Sequence, residues 1–251
     1  MKFGIAGTGN VAWHLAEMFT GAGHELLKVY GRNHQSAGNL AIRHSAEVAE
    51  SAAELKGCDL VFVSVNDDSI GEVAHSIPSD VFVIHTSGSA SIDVMPQHSR
   101  GVMWPVQSLT RGEGATYQGM PVVIEASGAE ERKLLRNFIE PARVRIYELS
   151  GDKRRELHMA AVFASNFPNH MYAIASRLAA RAGADFQIMK PLIFGSVEKL
   201  RWMDPLQAQT GPAMRGDEKT MERHLEMLNN DPDLREMYRL ISESIANTHG
   251  K

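Results

Sequence analysis

The chain has 251 residues, 43% of them hydrophobic and 22% charged, with a formal net charge of -4. That is the balance of an ordinary folded protein, and it argues against the basic stripe that nucleic acid or an anionic membrane would need in a principal partner. A single cysteine, Cys58, excludes an intrachain disulfide and a cysteine-rich zinc site, which points to a reducing, cytoplasmic setting. No stretch approaches the roughly 20 apolar residues of a membrane span, so a soluble, unprocessed protein is expected.

From Lys2 to about Leu149, short β-branched runs alternate with helical patterns: "KFGIA", "ELLKVY", "DLVFVSV", "VFVIHT", "GVMW", "PVVIEA" and "VRIYEL". This is the texture of a parallel sheet covered by helices on both faces, a Rossmann-type α/β domain over residues 1–150. From Gly151 the pattern becomes all-α, from Asp152 to about Ala182 at first and from Asp233 to about Asn247 at the end. Residues 151–251 are therefore expected to form a helical substrate and dimerisation domain. The charged run "DKRRE" reads as a solvated helix face.

The first strand runs into "GIAGTGNVAWHLA", in which Gly7, Gly9 and Ala12 make a G-x-G-x-x-A fingerprint between strand and helix. Gly7 allows the tight turn, Gly9 lets backbone approach a pyrophosphate, and Ala12 lets the helix pack close, with Thr8, Asn10 and Val11 completing the turn. The second strand ends at "VYGRN", about 20 residues on, where an NAD enzyme places an acid on the ribose hydroxyls. Arg32 and Asn33 stand there instead, with His34 and Ser36 nearby. A guanidinium can hold a 2′-phosphate by two parallel hydrogen bonds, so NADP(H) is favoured and NAD(H) stays possible; the alternative for Arg32 is a solvated loop cation.

"SVNDDSI" and "HTSGS" follow later strands, and ligands of open α/β sheets sit beyond such strand ends. Val65, Asn66 and Asp67 should border the cofactor, while Thr86 and Ser87 should meet the nicotinamide ribose or the substrate. In "MWPVQS", Trp104 and Gln107 are a candidate pocket wall, with a core role for Trp104 as the alternative.

The helix from Asp152 would be about 30 residues and 45 Å long, and Pro168 should kink or interrupt it. Its segment "HMAAVFASNFPNHMYAIASRLAA" is apolar enough that a second copy of the chain is expected to cover it. At helical spacing His158, Ser165, Asn166 and Asn169 form a polar stripe on it. His158, with an ordinary pKa near 6.5, is a candidate proton donor and Asn166 or Asn169 a substrate-orienting amide; bonding across helices is the alternative. In "QTGPAMRGDEK", Asp217 can cap the following helix and Arg215 is either an anion-binding corner or half of a surface pair. The 11 histidines show no metal-binding spacing, and no metal site is expected.

Taken together, "GIAGTGNVAWHLA", "CDLVFVSVNDDSI", "VIHTSGS", "GVMWPVQSL", "HMAAVFASNFPNHMY" and "TGPAMRGD" resemble oxidoreductases that join a Rossmann-like domain to a helical C-terminal domain of unknown function. More distantly the chain is similar to pyrroline-carboxylate reductases, deazaflavin-dependent NADP reductases and the 6-phosphogluconate and 3-hydroxyacid dehydrogenases. The resemblance implies a dinucleotide cofactor, a helical domain that dimerises, and a substrate pocket over the nicotinamide. The Lys and Asn one helical turn apart of the hydroxyacid dehydrogenases is not matched, because the corresponding helix reads "HMAAVFASNFPNH", and no tyrosine has a lysine four residues on. The expectation is hydride transfer with a small carbonyl or imine substrate, using His158, Asn166 and Ser87; the alternative is a non-catalytic NADP-binding sensor or scaffold.

Overall fold

The computed structural model describes residues 1–112 and 116–250. The chain forms two compact units, residues 1–170 and 171–251. The change from strands to helices falls at Ser150, as the sequence texture suggests, but the next helix belongs with the sheet, so the compact units divide later.

The first unit runs β1 (Lys2–Ala6), α1 (Asn10–Gly21), β2 (Glu25–Tyr30), α2 (His34–Arg43), β3 (Glu47–Ala49), β4 (Leu60–Val63), α3 (Ile70–Ser76), β5 (Phe82–His85), β6 (Arg100–Pro105), β7 (Pro121–Ala126), α4 (Ala129–Ile139) and β8 (Arg145–Glu148). Helix α5 (Gly151–Ala161) continues through a π-helical turn (Val162–Asn166) into α6 (Phe167–Arg181). Strand order is β3-β2-β1-β4-β5-β6-β7-β8. The order reverses between β1 and β4, the crevice where doubly wound sheets bind ligands.

The central strands are buried on both faces, as the side chains entering each side show. Phe3, Ile5, Leu60, Phe62, Phe82 and Ile84 enter one core layer, while Ala6, Val61, Val63 and Val83 enter the other. Successive side chains of a strand point to opposite faces, so a sheet covered on both sides needs apolar residues at nearly every position. Two strand features differ from the expectation. β3 is a three-residue edge strand, too short to show a period. β7 runs antiparallel to β6, whereas the other pairings are parallel. No helix is described in the connection between them, and without a crossover the returning strand pairs antiparallel.

Pro168 does not end its helix. Having no N–H, it cannot donate to the carbonyl four residues back, and its ring crowds that carbonyl. The wider π turn lies immediately ahead of it, and helix persists from Gly151 to Arg181.

The second unit contains the rest of α6, then α7 (Lys190–Lys199), α8 (Pro205–Ala208), α9 (Pro212–Arg215), α10 (Glu218–Met227) and α11 (Pro232–Thr248). Its buried centre is small: Ile174, Leu228 and Leu234, flanked by Met171, Met237 and Tyr238. Asp217 caps α10 by accepting from the Thr220 N–H at 3.2 Å, as expected from its position. Among the described residues, no helix is long and apolar enough to cross a membrane.

Four phenylalanines knit α1, α4 and the sheet. Phe19 lies 5.3 Å from Phe62 and 4.6 Å from Phe138, which packs 5.6 Å from Phe3. Phe138→Ala should therefore lower stability by about 3–5 kcal/mol, read from the denaturant midpoint of unfolding.

Candidate active site

The glycine turn sits flush against the end of β4. Gly7 has φ +134°, and a Cβ there would overlap the Ser64 carbonyl oxygen. The Gly7 N–H donates to the Tyr30 carbonyl at 2.8 Å, and the Ser64 N–H donates to the Ala6 carbonyl at 2.7 Å, locking three strand ends together. Gly31, after β2, is equally constrained, because a Cβ would come within 2.5 Å of Thr8 Cγ2.

Gly9 differs from these, since a Cβ built on it would meet no protein atom within 4 Å. It precedes α1, whose first turn has neither a side-chain cap nor an acidic residue. The leading N–H groups of α1 are thus left for a ligand, and an anion is what a helix N-terminus attracts. The space beside Gly9 and the uncapped helix fit a dinucleotide diphosphate.

A cleft of about 700 Å³ opens here. Gly7, Thr8, Gly9, Asn10, Val11, Arg32, Asn33, Val65, Asn66 and Thr86 all line it, as do Ser87 and His158. Arg32 is exposed and enters no ion pair among the described residues, whereas neighbouring His34 stands 3.7 Å from Glu50. Asn33 has a structural task as well: its side chain accepts from the Ser36 N–H at 2.9 Å and caps α2.

At the other end of the cleft, the turn after β5 is held by its own hydroxyls. Ser87 Oγ donates to Asp67 Oδ2 at 2.8 Å and accepts from the N–H groups of Ser89 and Ala90 at 3.0 and 2.9 Å. Ser89 Oγ donates to the same Asp67 oxygen. The Ser87 proton is thereby directed at Asp67, which makes this hydroxyl a tie for the turn. Thr86 Oγ1 donates to Ser64 Oγ at 3.3 Å.

The group beneath this turn is Arg154, and here the reading of "DKRRE" as a solvated face is corrected. Arg154 is fully buried. Its Nε and Nη2 donate to Glu125 Oε2 at 3.2 and 3.1 Å, Nη1 donates to the carbonyls of Ser87 and Gly88 at 3.0 and 2.8 Å, and Nη2 also donates to that of Ala90 at 2.7 Å. Sheet register makes the bridge possible: His85 at the end of β5 aligns with Val102 in β6, which aligns with Glu125 in β7. The guanidinium lies under that row, and each of its nitrogens has a partner. One signal in the sequence could have found it, since Arg154 precedes His158 by four residues and so shares its helix face.

His158 sits above the same turn. A Cβ on Gly88 would strike its ring and Trp104, and the rings of Trp104 and His158 lie 5.4 Å apart, edge to face. Trp104 is only 8% exposed and packs with Val102 and Val123, so it is core and pocket wall at once. A second cavity of about 580 Å³ adjoins the cleft, sharing Trp104, Gln107 and His158 with it and adding Ser165 and Asn166. Asn169 does not line it. Arg215 ends α9 in the second unit.

With this geometry in view, the comparisons are specific. Residues 120–245, half of the chain, match the family model described as a domain of unknown function, DUF2520, and residues 2–89 match the model of a coenzyme F420-dependent NADP oxidoreductase. An inferred NADP oxidoreductase from Bacteroides fragilis is 33% identical over 98% of both chains, with a TM-score of 0.88. The chain belongs to the DUF2520 family. No functionally curated protein matches it. At the level of fold, the family resembles a Plasmodium falciparum pyrroline carboxylate reductase solved with NADP bound (17% identity, 99% and 98% coverage, TM-score 0.62). It also resembles an Aspergillus terreus reductive aminase solved with NADPH4, cyclohexanone and allyl amine (12% identity, covering 90% of this chain and 77% of that one, TM-score 0.63). The DUF2520 chain thus has the fold and the cofactor domain of an NAD(P)-dependent oxidoreductase.

Two tests follow from the Arg154 cluster. Arg154→Met leaves Glu125 and three carbonyls without their donor, and should cost about 3–5 kcal/mol in chemical denaturation. His85, also buried, accepts from the Ser87 N–H through Nδ1 at 3.2 Å, and burial, reinforced by the charge of Arg154, pushes it down to about 4. The fold therefore holds a neutral ring, while an unfolded histidine takes up its proton near 6.5. This contribution is intact above about pH 6.5, is lost progressively as pH falls to about 4, and is level below that; its size is on the order of 3 kcal/mol. Burial pushes His24 and His44 down as well, so His85→Gln should reduce the fall of Tm across this window without abolishing it.

Proposed function

We propose that the protein transfers a hydride between NADP(H), bound along the cleft, and a small carbonyl or imine compound held in the adjoining cavity. The observation that carries this reading is the shared wall: Trp104, Gln107 and His158 belong to both the cofactor cleft and the polar cavity beside it. Bound NADPH supplies the hydride at its nicotinamide C4. The chain's own residues bind and orient. The N–H groups at the start of α1 hold the diphosphate, and Arg32 pairs with the 2′-phosphate where an NAD enzyme would carry an acid. Asn166 orients the polar atom of the substrate, and an imidazole nitrogen of His158 carries the proton that this atom gains as its carbon is reduced. Ser87 acts through the turn it ties, and Arg154 holds that turn beneath His158.

We propose also that the chain works as a homodimer through its C-terminal helices. Leu192, Phe194, Val197, Leu200 and Trp202 are between 52% and 68% exposed, and Phe163 in the π turn is 65% exposed. Apolar side chains so dense on one stretch of helix call for a partner, and a second copy presents the same surface. Light scattering in solution should give twice the chain mass; a monomer would refute this.

Arg32→Ala should weaken NADPH binding about 10- to 100-fold, from the loss of a charge-assisted contact, and leave NADH within about twofold. Titration of both cofactors by fluorescence checks this, and equal losses would refute the assignment of Arg32. Tight NADPH binding without turnover of any carbonyl or imine would instead indicate a cofactor-binding sensor.

A further inference from the structure

The cavity beside His158 also bears on what kind of substrate it takes. It is lined by Gln107, Ser108, His158, Ser165 and Asn166 among apolar neighbours such as Val106, Leu157 and Val162, and among the described residues no lysine, arginine, aspartate or glutamate lines it. None of those five polar side chains has a hydrogen-bond partner among the described residues, and Ser165 and Asn166 lie in the π turn itself. π turns inserted in helices are frequent at functional sites. The cavity thus offers uncommitted donors and acceptors, and the one charge its described lining can hold is the proton on His158, which passes to the substrate as it is reduced.

The cation nearest in structure to serving a carboxylate cannot do so. Arg154 lies under the turn that His158 covers, but its three nitrogens are already bonded to Glu125 and to the carbonyls of Ser87, Gly88 and Ala90. Of the charged side chains lining the cofactor cleft, Arg32 follows β2, and the one beside Ser87 is Asp67, itself a carboxylate. A substrate anion here would meet no fixed counter-charge among the described residues, which disfavours it.

Resting on the reading of this cavity as the hydride acceptor's place, we infer that the substrate is an uncharged carbonyl or imine whose body is apolar and whose polar groups are neutral hydrogen-bonding ones, not a carboxylated or phosphorylated compound. The related folds do not decide this, because a pyrroline carboxylate reductase and a reductive aminase bound to cyclohexanone and allyl amine share it. The side chains of this cavity do.

The test is a matched pair differing only in a carboxylate: 1-pyrroline and 1-pyrroline-5-carboxylate, with the full-length protein and saturating NADPH. The neutral imine should have at least about a tenfold higher kcat/KM, equivalent to withholding one compensating charge. Placing a cation in the wall, by Val162→Arg or, should that variant not fold, Ser108→Lys, should narrow or reverse the ratio while leaving the NADPH Kd unchanged. Equal or better use of the carboxylate by the native chain would overturn the inference. If neither imine is reduced, the hydride-transfer reading loses its support, and the cavity is judged separately by saturation-transfer NMR with NADP+ present. 2-Pyrrolidinone binding in preference to 5-oxoproline upholds a neutral site; preference for the acid, or binding of neither, overturns it.

Discussion

One buried guanidinium organises the end of the cleft beside His158. Arg154 leaves the first turns of α5, passes beneath the turn after β5 and ends on Glu125 of β7, so helix, turn and strand share a single cation. Burying such a charge is costly unless it is paired and its donors are all met, and both conditions hold here. A lysine could not replace it, because an ammonium cannot direct donors at once to a carboxylate and to three carbonyls in a plane. His158 follows one helical turn after Arg154 and rests on Gly88 and Trp104. Its height over the end of the cofactor cleft is therefore set by the same cluster that fixes the turn.

The rest of the site follows from where strands end. The reversal of strand order between β1 and β4 leaves a crevice, and the glycine turn, the ends of β2 and β4 and the turn after β5 all border it. Gly7 is required by crowding against the Ser64 backbone and Gly31 is crowded by the Thr8 side chain, whereas Gly9 leaves room for something outside the chain. The antiparallel β7 contributes in another way: it aligns Glu125 with Val102 and His85, which brings a carboxylate level with the start of the Ser87 turn. The topology of the sheet thus supplies both the anion-binding corner and the counter-charge for Arg154.

The π turn gives α5 and α6 a purpose beyond covering the sheet. By widening the helix ahead of Pro168 it accommodates a residue that would otherwise break it, and Ser165 and Asn166 within it face the same cavity as His158. The stripe of His158, Ser165, Asn166 and Asn169 is realised in part: the first three share a cavity and the fourth does not line it.

The amino-acid sequence determined by itself whatever depends on local spacing. Short apolar runs placed seven of the eight strands, most clearly the central ones, because burial on both faces calls for apolar residues at nearly every position. The glycine fingerprint marked the turn after β1, because the left-handed backbone at Gly7, flush against Ser64, demands the absence of a side chain, while Gly9 leaves space beside the start of α1. Asp217 was legible as a helix cap, since its partner lies three residues away. Only the tertiary structure decided the rest. Arg154 looks like a surface charge because its partners lie 29 to 67 positions away. Ser87 ties its turn through a hydrogen bond accepted by Asp67, 20 positions earlier, a partner that local spacing does not show. The union of Trp104, Gln107 and His158 in one wall depends on which helix face packs over which strand ends, and no periodicity along the chain encodes that.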